Sequence, residues 1–408
     1  MPDRLRLPAA VFLGLLGLSI IFGWLLWVWH PVVPGPLRLT KVTFDELPGW
    51  RQNDPRAALS AFLRSCAQRA AQNTSDPLGG AGYAGNVSDW REVCGAVQAP
   101  VQSAAQARAI FERWFAPVCI SAGDMKDGLF TGYFEPQLSA SRTRHGKFQT
   151  PVYAPPDDLV NVDLGAFRPK LRGEQITGRV LGNRLVPYAT RADIDTKGLP
   201  QARVLFYTSD PVTAFFLHIQ GSGRVYFDDG TLERISYAAQ NGQQYTPVGR
   251  ILLARGALTR EKVSLQSIRA WLRAHPAAAR EVMEGNASYV FFKEEVLGDP
   301  ALGAKGSEGV PLTPNGSIAV DPRLHAFGTP FYLSTTLPNG QLLRSLFIAQ
   351  DSGGAIRGPV RGDVYFGTGE EAETLAGQMR QSGRLYALLP KPLAGKLATQ
   401  TDYPDDLP

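Results

Sequence analysis

The sequence predicts a mainly β protein with helices at its periphery and one N-terminal transmembrane helix. Three observations carry this expectation. From Gly128 to about Arg255 short runs of β-type residues (LFTGYF, TPVYA, RVLFYT, AFFLHIQ, RVYF, GRILLA) lie between Gly, Pro and Asp, the texture of a barrel or sandwich. A second β-rich stretch runs from Ala287 to Gly367. The run from Leu7 to Trp29 carries no charge, and its 23 residues fit the roughly 20 that span a bilayer as a helix.

Taken in order, residues 1–30 are an anchor or signal segment. Arg4 and Arg6 precede the apolar run, which puts the N-terminus on the cytoplasmic side and exports the chain from Leu37 onward. Trp24, Trp27 and Trp29 suit a membrane–water interface. A cleaved signal has a shorter core and a small-residue cleavage site, so an uncleaved membrane anchor through residues 7–29 is expected. Residues 31–44, which include PVVPGPL, read as a stiff linker. Apolar residues at helical spacing predict helices from Pro55 to Gln72 (Leu59, Phe62, Leu63, Cys66) and from Ala104 to Phe115 (Ala107, Ile110, Phe111, Trp114), both as a packing layer. Ser264 to Ala274 is a further helix ended by Pro276, and another closes at Gly285. Asn315-Gly316 is a hairpin signal. Glu370 to Gln381 predicts a helix with acidic residues in its first turn and Gly383 as its stop. Arg384 to Leu389 makes a last strand, and residues 391–408 are a tail whose end, TDYPDDLP, reads as frayed.

Composition bounds the function. The exported part of this 408-residue chain is too long for one ordinary core and suits two domains. Charged residues make up 19%, the net charge is +5, and the basic residues are scattered. That pattern argues against a nucleic-acid partner and fits adhesion to an anionic envelope at most. Cys66, Cys94 and Cys119 fall in an oxidising compartment. Two can pair and one is left over; Cys66 with Cys94 is the expected disulfide, although sequence does not fix connectivity. The five histidines are isolated and no cysteines have ligand spacing, so neither a metal nor another cofactor is expected.

The segment Ala349 to Gly367, AQDSGGAIRGPVRGDVYFG, is the strongest candidate site. Asp351 and Asp363 are carboxylates able to donate or take a proton, and the glycines let a bulky ligand lie against backbone. Each feature also has a plainer reading. Asp363 after Arg361-Gly362 is the pattern of a turn residue. Asp351-Ser352-Gly353 matches the aspartic-peptidase signature, but a dyad needs two carboxylates sharing a proton. Thr131-Gly132-Tyr133-Phe134-Glu135 reads as a strand. Gln220-Gly221-Ser222-Gly223-Arg224, after an apolar run, reads as a loop at a strand end without the rest of a dinucleotide fingerprint.

Five blocks, FTGYFEP (130–136), AFFLHIQGSGRV (214–225), NASYVFF (286–292), PLTPNGSIAVDPR (311–323) and AQDSGGAIRGPVRGDVYFGTG (349–369), occur together and in order. In this the chain resembles the membrane-bound lytic transglycosylase A family of murein-cleaving enzymes, over roughly residues 45–390. The resemblance implies a double-psi β-barrel domain built from residues 45–136, with its helices, and 286–390. A smaller β domain, residues 137–285, is inserted between them, and the groove between domains takes glycan strands of peptidoglycan. It implies Asp363 as the catalytic acid and Asp351 as a supporting residue. Thr131, Gly132, Tyr133, Gln220, Gly221, Ser222, Gly353, Gly354 and Tyr365 would line the groove. The implied reaction splits the β-1,4 bond between N-acetylmuramic acid and N-acetylglucosamine without water, leaving a 1,6-anhydromuramoyl end. Other classes are a non-catalytic murein-binding scaffold and an aspartic-type peptidase. The family name and many of its members imply a lipidated N-terminal cysteine at the outer membrane, yet no cysteine precedes Cys66. The expected location is therefore the periplasmic face of the inner membrane, with the soluble periplasm, if the segment is cleaved, or the outer membrane as alternatives. Nothing in the sequence identifies a protein partner.

That chemistry sets a physical requirement. An aspartate of ordinary pKa, about 3.9, is protonated in only about one molecule in a thousand near pH 7, and raising it to near neutrality takes about 4 kcal/mol of differential environment. Burial and a nearby carboxylate both act in that direction, so Asp351 is expected to raise Asp363 if the two approach closely.

Overall fold

The computed structural model describes residues 35–97, 99–171 and 174–403. The expected membrane anchor at residues 7–29 lies outside these, and among the described residues no helix is long and apolar enough to cross a membrane.

The largest sheet has nine strands, several of them buried along most of their length. Their order is Pro330–Thr336, Leu342–Asp351, Ser317–Ala319, Arg361–Thr368, Asp127–Glu135, Arg380–Pro390, Phe115–Ala122, Leu37–Lys41 and Gln400–Tyr403. The first of these also pairs with Arg380–Pro390. Phe130, Phe134 and Val364 point into a core shared with Phe331, Phe347 and Leu385. The helix Arg56–Ala70 lays Leu59 and Phe62 on that core, where Phe62 packs edge-on against Phe111 and Phe115 with ring centres 6.2 and 5.6 Å away. Emptying the Phe62 position would cost about 3–5 kcal/mol. The helix Ala104–Trp114 starts at a capping box, in which the Ser103 side chain accepts from the Gln106 backbone N–H and Gln106 answers in return. A disulfide between Cys66 and Cys94 ties Arg56–Ala70 to the helix Val87–Ala96, and Cys119 is a buried free thiol.

A second, six-stranded sheet runs Val290–Glu295, Leu232–Gln240, Ser222–Phe227, Gln137–Ser141, Val204–Thr208, Thr150–Tyr153. Leu138, Val152, Phe206, Val225 and Phe292 form its core. Helices Pro211–Gln220, Val248–Ala254, Leu265–Ala274 and Pro276–Glu284 pack beside it around Phe215, Phe216, Leu252 and Leu272. A three-stranded sheet, Val160–Asp163, Gln175–Leu181 and Arg184–Pro187, completes this half.

Several expectations are corrected. AFFLHIQ and GRILLA are helical, within Pro211–Gln220 and Val248–Ala254. For the first, the end signals outweigh β propensity. Asp210 caps the Val212 N–H, Pro211 takes the first turn, and Gly221 closes the helix at φ 78°. Asn315-Gly316 turns the chain, with Asn315 at φ 55°, but joins no hairpin; Ser317–Ala319 instead pairs with Leu342–Asp351 and Arg361–Thr368. The last long helix stops at Gln378, and Gly383 lies inside the strand Arg380–Pro390. Part of the linker and part of the tail are strands of the main sheet. Leu37 and Leu39 are buried, and Leu37–Lys41 pairs with Gln400–Tyr403. The six-stranded sheet also extends past residue 285, through Val290–Glu295.

Candidate active site

The parallel pairing of Arg361–Thr368 with Asp127–Glu135 sets Asp363 opposite Thr131 and Tyr365 opposite Tyr133. Side chains alternate across a strand, so Arg361, Asp363 and Tyr365 share one face with Leu129, Thr131 and Tyr133. Phe130, Phe134 and Val364 take the core face. On the far side of Asp363, Ala319 pairs with both Asp363 and Asp351. On the far side of Thr131 stands the exposed Arg380. A row of five residues therefore crosses the sheet: Asp351, Ala319, Asp363, Thr131, Arg380. The two aspartates are separated by two strand spacings, about 10 Å.

The carboxyl groups differ in their partners. Asp351 accepts from the Tyr133 hydroxyl at 2.9 Å, the Ser307 N–H at 3.0 Å, the Ser307 hydroxyl at 2.9 Å and the Ser352 N–H at 2.9 Å. Asp363 accepts one hydrogen bond, from the Thr131 hydroxyl to its Oδ1 at 2.6 Å. Among the described residues its Oδ2 takes none. Burial pushes the Asp363 carboxyl above its ordinary range, opposed by the Arg361 charge and the Thr131 hydrogen bond, with the Asp351 charge the smallest contribution. Burial raises Asp351 too, against its hydrogen bonds from Ser352, Ser307 and Tyr133. Expected tuning of Asp363 by Asp351 is thus minor beside desolvation. Among the described residues no hydrogen bond joins the two carboxyl groups, whereas a peptidase dyad shares a proton between them.

The half built on the six-stranded sheet approaches these strands at two points. Gln220, the last residue of its helix, accepts from the Phe134 N–H at 3.1 Å. Tyr245 comes close enough for the Asp363 charge to help raise its hydroxyl pKa, after burial. Its loop is pinned. Asn241 donates to Ala189 and Ala287 carbonyls, Gln243 donates to the Tyr188 carbonyl, and the Thr246 N–H donates to Asn286. The halves are riveted below the site, where the fully buried Glu135 accepts from Arg224 at 2.9 Å and Arg234 at 2.7 Å. Both arginines also donate to the Leu302 carbonyl.

The expected residues divide accordingly. Thr131, Tyr133, Asp351 and Asp363 come together, with Gln220 hydrogen-bonded to the same strand, and Gly221 and Ser222 follow it, partly exposed. Gly353 and Gly354 form the open loop after Asp351. Gly132 points the other way, where a Cβ would come within 2.9 Å of Ala376 Cα, so it serves packing. Tyr365 is 1% exposed beneath Tyr133, with ring centres 5.1 Å apart, and supports rather than lines the surface. Asp363 is mid-strand, not in a turn. Arg361, Tyr245, Ser307 and Arg380 were not expected. Arg361 was within reach of the sequence, since it lies two residues before Asp363 and hence on its face. The other three depend on tertiary approach. Among the described residues no cluster of His, Cys, Asp and Glu has the makings of a metal site.

Comparison with known proteins places this geometry. The family model "MltA specific insert domain" matches residues 129–293, and the "3D domain" model matches residues 316–389. The chain is 35% identical over 276 residues, 66% of its length and 67% of the relative's, to membrane-bound lytic murein transglycosylase A of Escherichia coli (strain K12). It resembles the crystal structure of membrane-bound lytic murein transglycosylase from Agrobacterium tumefaciens with a TM-score of 0.77 and 32% identity, covering 88% of this chain and 99% of that one. The E. coli MltA structure with bound chitohexaose matches with a TM-score of 0.59 and 28% identity, covering 81% and 90%.

Proposed function

Since the chain belongs to the membrane-bound lytic murein transglycosylase A family, we propose that it is a peptidoglycan lytic transglycosylase in which Asp363 alone serves as acid and then base. The observation that carries the assignment is the contrast in partners. Asp351 has its oxygens occupied by four donors, whereas Asp363 is partly buried, raised in pKa and, among the described residues, without a hydrogen bond at Oδ2. A general acid must hold a proton at working pH and present it to the substrate.

The step balances without water. The Asp363 proton passes to the glycosidic oxygen between N-acetylmuramic acid and N-acetylglucosamine. The C1–O bond breaks, and its electron pair stays on that oxygen. The C6 hydroxyl oxygen of the same muramoyl residue bonds to C1, and its proton returns to Asp363. An intramolecular nucleophile is already placed, so no second carboxylate is needed to activate it.

Substrate binding belongs to the same reading. The E. coli relative was crystallised with a chitohexaose chain, a β-1,4 glycan, and here Thr131, Tyr133, Gln220 to Ser222, Gly353 and Gly354 would flank the strand at the junction of the two halves. The double-psi β-barrel is supported by the cycle of pairings that links six strands through Pro330–Thr336, with parallel pairs at Ser317–Ala319 and at Arg361–Thr368. An inserted domain from about residue 137 is supported by the separate six-stranded sheet. Its end is better placed after Glu295 than at 285. The membrane-bound relatives fit a periplasmic, membrane-associated protein, and anchorage through residues 7–29 would hold it at the inner membrane. Mass analysis of fragments released from murein tests the reaction. The expected product carries a 1,6-anhydro end, one water lighter than a reducing end; reducing ends alone would make the enzyme a hydrolase.

A further inference from the structure

Arg361 donates from Nη2 to the Thr131 hydroxyl oxygen at 2.9 Å, and Thr131 Oγ1 lies 2.6 Å from Asp363 Oδ1. A guanidinium has donors and no acceptor, and a hydroxyl has one proton. The Thr131 oxygen is therefore the acceptor toward Arg361, and among the described residues the acceptor for its own proton is Asp363 Oδ1. With Oδ1 held as an acceptor, the ionisable proton of Asp363 is placed on Oδ2, which has no protein hydrogen-bond partner among the described residues. We propose that Arg361 and Thr131 are a positioning pair that fixes the acidic proton on Asp363 Oδ2, so that both proton transfers of the reaction pass through that one atom. This rests on the assignment of Asp363 as the acid and base, and it moves Thr131 from the sugar-binding surface to the proton machinery.

Arg361 is held for this role. It is partly buried, and its Nη1 donates to the Leu129 carbonyl at 3.2 Å and to the Gly362 carbonyl. A lysine lacks the planar fork needed to reach Thr131 and these carbonyls together. The pair also opposes the effect of burial. Arg361 and Thr131 both favour the charged form of Asp363, while the Asp351 charge disfavours it. The other titratable groups facing Asp363 are Tyr133, on the neighbouring strand, and Tyr245, from the inserted half.

The test uses the full chain acting on soluble murein glycan, with kcat, KM and the pH profile measured for Thr131→Val, Thr131→Ser, Arg361→Met, Arg361→Lys and the double variant Thr131→Val/Arg361→Met. A required acid loses activity as pH rises through its pKa, and removing a group that favours the charged form raises that pKa. The alkaline limb should therefore move to higher pH in Thr131→Val and in Arg361→Met. kcat should fall about ten- to a hundredfold, as for a misplaced reacting group, with KM held. The double variant should be no worse than Thr131→Val alone, and Thr131→Ser should bring the limb back toward its original position. Where Arg361→Met fails to fold, Arg361→Lys should still move the limb. A rise in KM with an unmoved limb, or multiplying effects in the double variant, would overturn the pair and leave Thr131 a sugar contact. Asp363→Ala is read alongside; if it keeps activity, the acid assignment itself fails, whatever the pair does.

Discussion

Two carboxylates on neighbouring strands are both shielded from water, Glu135 completely and Asp363 in part, with opposite consequences. Glu135 ends the strand Asp127–Glu135 and is fully buried, but two guanidinium groups meet it at 2.9 and 2.7 Å. Asp363 stands beside Thr131 of that same strand and receives one hydroxyl, with its nearest cation, Arg361, reaching Thr131 instead. The first arrangement makes a joint between the two halves; the second leaves a carboxyl group with reason to keep a proton. Burial alone does not make an acid. What separates the two is how many donors the fold delivers to each.

The sharpest way to break this comparison is to remove each carboxyl group and ask what is lost. Asp363→Ala should cut the release of anhydromuramoyl fragments by about 10²- to 10⁴-fold, the range for a lost general acid, while the protein remains folded. Glu135→Ala should act chiefly on stability. Removing one partner of a buried ion pair strands the other, here two arginines, at about 3–5 kcal/mol, seen as a lowered unfolding temperature. If Glu135→Ala left stability unchanged, the joint would not be a joint.

A third test concerns sign. The folded-state pKa of Asp363 is raised, so its favourable contribution is complete below the unfolded value, about 3.9, and is lost as pH rises through the folded value. Asp363→Asn should therefore unfold at a higher temperature than the parent near pH 7, and the gap should close below about pH 4. A constant gap across that range would mean that the carboxyl group is not strained by burial. The smallest expected effect is that of Asp351→Asn. Losing a weakly coupled negative charge should move the alkaline limb of the activity profile slightly downward, by less than Arg361→Met moves it upward. A larger shift from Asp351 would restore it as the main tuner.

These contrasts also show what the sequence could disclose. The strand carrying Thr131 was legible in LFTGYF, and the strand carrying Asp363 fell within a stretch read as β-rich, although the Arg361-Gly362-Asp363 pattern read as a turn. Period two already places Arg361 beside Asp363, so the positioning pair was half visible. The helix Pro211–Gln220 was misread because its buried apolar run has no alternation; Asp210, Pro211 and Gly221 were the signals that mattered. Leu37–Lys41 and Gln400–Tyr403 were read as linker and tail because neither has meaning until the other is beside it. The donors to Asp351 from Ser307, and the approach of Tyr245, come from loops positioned by long-range packing, which no local pattern encodes. Glu135 shows the same limit. Its position at a strand end was readable, but not that Arg224 and Arg234 would converge on it.

The central claim is that Asp363 holds its proton above the range of an ordinary aspartate. Titrating the side-chain carboxyl carbons of aspartate-labelled protein by NMR, with Asp363→Asn to assign the signal, tests it most directly. The expected result is one resonance that titrates above about 3.9 and vanishes in the variant. A resonance for Asp363 that titrates at or below that value would contradict the account.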